Sequence, residues 1–167
     1  AIGEEDATRA AGADHQPQLA FGDRTSRRFG GAGALIHRAD GGLGGGPVDT
    51  MLVMNALGPG LPLEPYLASA VAATALLRDC PAQAGLMEKM AAGERIAVIA
   101  DAEPHGVATL CRAAGTDFLL DGRKCVVAHA ATADLLIVSA HLGDDLALFL
   151  VPRDAPGLAL DSYPTLD

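Results

Sequence analysis

No tryptophan occurs in this chain of 167 residues, and aromatic residues of all kinds make up 4%. A platform of stacked rings for unpaired bases is therefore excluded. Positive charge is scarce as well: 12 basic residues stand against 21 acidic ones, for a net charge of −9. Nucleic acid and anionic membranes are held chiefly by Lys and Arg, so neither is an expected partner. Long apolar runs are missing. The longest, Tyr66 to Leu77, falls short of the about 20 residues that a bilayer span needs. The opening "AIGEEDATRAAG" is acidic and has no basic-then-apolar leader pattern, so a cytoplasmic protein is expected. The three cysteines, Cys80, Cys111 and Cys125, form no C-x-x-C pair and read as buried, reduced thiols. None of His15, His37, His105, His129 and His141 pairs at the i, i+4 spacing of a helical metal site, and no metal is expected.

What the chain does have is apolar bulk, 50% of residues, enough for a sizeable core. Residues 1–40 carry little periodicity and read as irregular. "RADGGLGGGP" (38–47) is glycine-rich, but its spacing matches neither G-x-G-x-x-G nor G-x-x-x-x-G-K, so it reads as a connector. Pro47 suits the first turn of a helix, and Asp49 suits its positive end. "VDTMLVMNALG" places Met51, Leu52, Met54, Ala56 and Leu57 mainly along one side, with Gly58 as the stop. "PGLPLEPY" is a rigid link. A second helix, about 65–78, is apolar nearly all round and should be buried. Pro81 opens a third, with Leu86, Met87 and Met90 inward and Gly93 at its end.

After Gly93 the texture changes. "RIAVIA", "GVATLC", "TDFLLDGRKCVV", "DLLIVSAH", "LALFLV" and "GLAL" are short β-type runs between turn residues. Asp121-Gly122 and Gly143-Asp144-Asp145 are the strongest tight-turn signals. Helices first and strands afterwards predict an α+β fold: an N-terminal helical segment, then an antiparallel, barrel-like β domain. The divisions are 1–40 irregular, 41–93 helical and 94–167 β.

The order of four motifs carries a resemblance. "GGLGGGPVDTMLVMNALGPGLPLEPYLAS", "MAAGERIAVIADAEP", "FLLDGRKCVVAHAATADLLIVSA" and "LALFLVPRDAPGLALDSYPTLD" resemble, in sequence order, the helical segment and middle β domain of acyl-CoA dehydrogenases. The likeness is to the small-subunit, pimeloyl-CoA-dehydrogenase-like branch and runs from Gly41 to Asp167. It implies an FAD-dependent oxidoreductase acting on the CH–CH group of an acyl-CoA thioester. It also implies a homo- or hetero-oligomer and an electron acceptor such as electron-transfer flavoprotein.

By the same resemblance Ile99, Asp101 and Ala102 on one strand, and Val126, Val127 and Ala128 on another, lie along the flavin. The chain departs from the family's usual pattern there. Ala102 and Ala128 stand where the family commonly has Thr or Ser, and Val126 where it has an aromatic residue. Of the carboxylates, Glu64 lies between prolines, Glu88 on an amphipathic helix and Glu94 after a turn, while Glu103 borders the flavin strand in a position that the resemblance makes structural. No catalytic base is assigned; it is expected from a C-terminal helical domain that these residues do not include. Ser69, Ser139 and Ser162 lack a G-x-S-x-G elbow, which argues against a hydrolase. Two alternatives stay open: a non-catalytic partner subunit, motivated by the missing hydroxyls, and a small β binding module.

Overall fold

A computed structural model describes residues 8–10 (backbone only), 44–60 and 65–163. The rest of the 1–40 segment, the start of the glycine loop, the link at 61–64 and the last four residues lie outside the described residues. Strand β1 (Thr8–Ala10) precedes helix α1 (Pro47–Leu57). A π-helical stretch, Tyr66–Ala73, runs on into α2 (Thr74–Leu77), and a 3-10 turn, Pro81–Gln83, leads into α3 (Ala84–Ala91). Strands β2 (Ala97–Ala100), β3 (Leu110–Ala114), β4 (Asp117–Asp121), β5 (Leu135–Leu142) and β6 (Asp145–Pro152) follow.

Helices before strands is the expected order, with one addition: Thr8–Ala10 pairs with β4 inside a segment read as irregular. The expectation of an antiparallel unit holds only in part. The sheet is mixed, with the path β1-β4-β3-β5-β2 and β6 alongside β5, and these pairings do not close into a ring. β5 is its axis. One edge pairs antiparallel with β6 along all eight residues. The other edge is shared: β2 runs parallel to Leu135–Val138, and β3 begins parallel to it at the Leu110–His141 pair.

Burial explains why β5 is a nearly continuous apolar run. Leu136, Val138 and Ala140 face one core with Val98, Ala100, Cys111, Leu120, Phe149 and Val151. Ile137 faces the other, with Ala97, Ala73, Leu77, Met87 and Met90 from the helices. The Val, Leu, Ile, Phe and Met side chains among them each contribute about 1.5–3 kcal/mol on full burial. Phe118 and Phe149 add a tilted ring contact at 5.5 Å.

The third helix follows expectation: Met87 and Met90 are buried and Gly93 ends it in a left-handed conformation. The second buries Ser69, Ala73, Thr74 and Leu77 but leaves Leu67 exposed. The first departs most. The N–H of Gly46 donates to Asp49 Oδ2 at 2.8 Å and fixes its start, yet α1 buries none of its residues.

Both hairpins turn on left-handed glycines, Gly115 between β3 and β4 and Gly143 between β5 and β6. Gly143 was a predicted turn. Asp121-Gly122 is not one: β4 ends at Asp121 and no turn follows before residue 128. Gly122 serves a close approach instead. A Cβ there would come within 2.6 Å of the Thr109 Cα. "GLAL" forms no strand.

Candidate functional site

β2 and β3 lie end to end on one edge of β5, and the loop 101–109 leaves and re-enters the sheet between them. The gap falls opposite Ser139 and Ala140, because Val138 pairs with Ala100 and His141 with Leu110. Interrupting a strand in a buried sheet exposes backbone groups that need partners. Lys124, on the segment after β4, supplies three donors. Its ammonium donates to Glu103 Oε1 at 2.6 Å, to Ser139 Oγ at 2.9 Å and to the carbonyl of Asp101 at 3.2 Å. An ammonium has three N–H donors, so all are used, which explains how a lysine side chain can be only 10% exposed.

Glu103 also accepts the Thr109 N–H at 2.7 Å, and Thr109 O accepts the His141 N–H at 2.8 Å. The chain of contacts thus runs from β5 through Thr109 and Glu103 to Lys124. The Lys124 hydrogen bond, followed by the Thr109 N–H, holds the Glu103 carboxyl far below its ordinary 4.5, at about 2. The buried Thr109 hydroxyl has no well-aligned partner of its own and gives Glu103 only a weaker third contact.

The two stretches predicted to line the site come together beside this cluster. The N–H of Cys125 donates to the carbonyl of Ala102 at 2.9 Å, so the chain after Asp101 and the chain after Lys124 run side by side. Asp101, Ala102, Val126 and Ala128 are exposed and form a ledge of two adjacent backbones. Val126 is 76% exposed with φ at +53°. A β-branched residue in the left-handed region is an outlier. Ile99 and Val127 do not join the ledge: Ile99 packs towards the helical core and Val127 towards the opposite one. The segment then breaks in a turn, where His129 has φ at +61° and its carbonyl accepts the N–H of Thr132 and of Ala133.

Asp134 restarts the strand with a purpose of its own. Its Oδ2 accepts the Ile96 N–H at 2.8 Å and its Oδ1 accepts from Arg95 at 3.0 Å, which aligns β2 on β5. The Ile96 N–H and then Arg95 lower its carboxyl from the ordinary 3.8. Sequence reasoning missed the joint action of Thr109, Lys124 and Ser139. The available signals were a lone Ser in the apolar run "LLIVSAH" and a Lys directly before the apolar stretch "CVVA".

Over 91% of its length the chain is 32% identical to acyl-CoA dehydrogenase FadE27 of Mycobacterium tuberculosis. The chain is a relative of the acyl-CoA dehydrogenases. In structure, 78% of the chain superposes on a chain in the crystal structure of the ChsE4–ChsE5 complex from Mycobacterium tuberculosis, with a TM-score of 0.72 and 29% identity. This acyl-CoA dehydrogenase relative spans less than half of both proteins, 44% of the first and 37% of the second. No family model matches it. Among its described residues no helix is long and apolar enough to cross a membrane.

Proposed function

We propose that the chain is part of a cytoplasmic flavoprotein that dehydrogenates the α,β bond of an acyl-CoA thioester and passes electrons to an acceptor such as electron-transfer flavoprotein. Residues 41–93 would be its helical portion and 94–167 its middle β domain. The observation that carries the reading is the ledge of Asp101–Ala102 against Cys125–Ala128, in a chain 32% identical to an acyl-CoA dehydrogenase over most of its length.

The small and apolar exposed residues of the ledge support FAD as the group it would hold. A flat ring needs a flat flank: Ala102 and Ala128 are small and exposed, and Val126 offers an apolar contact. FAD when bound supplies the hydride acceptor. The ledge offers it backbone and apolar surface but no hydroxyl at Ala102 or Ala128, and each missing hydrogen bond costs about 0.5–1.5 kcal/mol. FAD retention should accordingly be weaker than a hydroxyl-bearing site would give. Glu103 is not a suitable base. A base near neutral pKa is required, and this carboxyl is held at about 2.

The test is to purify the protein, titrate it with FAD and follow the flavin absorbance. Anaerobic addition of acyl-CoA thioesters to the intact assembly should then bleach the visible band of the oxidised flavin. A protein that never acquires the flavin band contradicts the reading. A second reading is a non-catalytic subunit of a hetero-oligomer. The absence of side-chain hydroxyls at Ala102 and Ala128 favours it, as does the likeness to a chain from a two-component complex. A colourless protein that copurifies with a flavin-bearing partner would decide for it.

A further inference from the structure

We propose that Lys124 is a positioning residue. It sets the spacing and the tilt of the two halves of the ledge, Asp101–Ala102 and Cys125–Ala128. The inference builds on the flavin reading above, but its geometry stands on its own. Lys124 bonds the first carbonyl of the ledge, that of Asp101, and immediately precedes Cys125, whose N–H bonds Ala102. The same ammonium reaches Ser139 on β5 and Glu103 at the start of the loop. One side chain therefore ties both halves of the ledge to the rigid axis of the sheet.

The alternatives for this loop are few. Val107 N–H to the carbonyl of Pro104 closes a turn within the loop, and Thr109 N–H reaches Glu103, but neither touches the segment 124–128. Besides Lys124, the hydrogen bond between Cys125 and Ala102 is what joins the two stretches among the described residues, and a single hydrogen bond is a hinge. Because all three ammonium donors are occupied within the protein, Lys124 has none to offer a ligand. It acts through the backbone it holds.

The experiment compares wild type, Lys124→Met and Met90→Ala in the whole protein, below their melting temperatures. Met90 is buried in the helical core, away from the ledge, and serves as a control for lost stability alone. Two readouts are taken: the FAD dissociation constant with the band shape of the bound flavin, and amide hydrogen exchange at Thr109 and Cys125 relative to Phe149. Lys124→Met should weaken FAD binding roughly tenfold or more and blur the band, since charge-assisted hydrogen bonds are lost. It should also raise exchange at Thr109 and Cys125 by about the same factor over Phe149. Met90→Ala should do neither. If Lys124→Met proves too unstable to purify, Ser139→Ala removes one of the three acceptors and should show the same changes in smaller measure.

Wild-type flavin parameters in Lys124→Met, or exchange at Thr109 and Cys125 that rises no more than in Met90→Ala, would overturn the inference. If wild type itself takes up no FAD, the functional reading fails, and the exchange comparison alone decides the role of Lys124.

Discussion

The ammonium of Lys124 lies 2.6 Å from Oε1 of Glu103, across a gap between two strands that share one edge of β5. The pair is three-quarters buried or more on both sides, with side-chain exposures of 10% and 25%. Breaking a fully buried pair by removing one partner costs about 3–5 kcal/mol. Glu103 keeps some water, so Lys124→Met should cost less, about 2–3 kcal/mol. Urea unfolding midpoints measure this.

Acid should act on the same pair. The Glu103 carboxyl falls from 4.5 in the unfolded chain to about 2 in the fold, so the folded state binds its proton more weakly. Its stabilising contribution is complete above about pH 4.5 and is lost as the pH falls towards 2. Glu103→Gln should therefore destabilise at pH 7 by on the order of 1–2 kcal/mol and much less near pH 2, where wild type has lost the ion pair too. Asp134, also lowered, remains in both proteins and keeps part of the acid dependence. An equal stability difference at both pH values would contradict the assignment.

Gly122 should tolerate no side chain. Its missing Cβ would stand 2.6 Å from the Thr109 Cα and 2.8 Å from its Cβ, both on a buried residue that cannot swing away. Gly122→Ala should cost about 1–3 kcal/mol through displaced backbone. A thermal midpoint equal to wild type would show that 109 and 122 are not in contact.

The four methionines should separate on exposure to dilute hydrogen peroxide. Met51 is 60% and Met54 38% exposed on α1, against 2% for Met87 and 9% for Met90. Met51 and Met54 should be oxidised first, as peptide mass spectrometry would show. Early oxidation of Met87 would mean that α3 does not pack on the sheet.

Much of this was readable in the sequence where the signal is local. The Met87/Met90 spacing gave the buried face of the third helix, and Gly143-Asp144 gave the last hairpin. Pairing direction was not readable, because β2 meets β5 across a separation of 38 residues and no local feature marks it as parallel. Asp121-Gly122 misled for a related reason: a glycine needed for close approach looks the same as a glycine needed for a turn. α1 has an apolar composition that suggests burial, yet no described residue covers it, and composition alone cannot say what an apolar helix faces. The Lys124 cluster draws on positions 101, 103, 109, 124 and 139, which only the folded sheet brings together.

Catalysis by these residues alone should fail. A dehydrogenase takes a proton from one side of the substrate and gives hydride to the flavin on the other. The ledge would occupy the flavin side, and the carboxylate next to it, Glu103, is engaged and held at about 2. General base catalysis typically contributes about 10²–10⁴ in rate. Anaerobic mixing of the 167-residue chain, FAD and acyl-CoA thioesters should leave the flavin band intact. Bleaching would mean that a base lies among these residues.

The central claim is that the exposed ledge holds FAD, and one measurement bears on it directly: FAD titration of wild type and Val126→Asp. Val126 is 76% exposed in a left-handed conformation that Asp accepts more readily than Val, so the substitution leaves the fold intact. Wild type should quench FAD fluorescence in a saturable titration. Val126→Asp should bind roughly tenfold more weakly or worse, because a carboxylate would have to be desolvated against the ring. Equal binding by the two proteins, or no binding by wild type, would contradict the account.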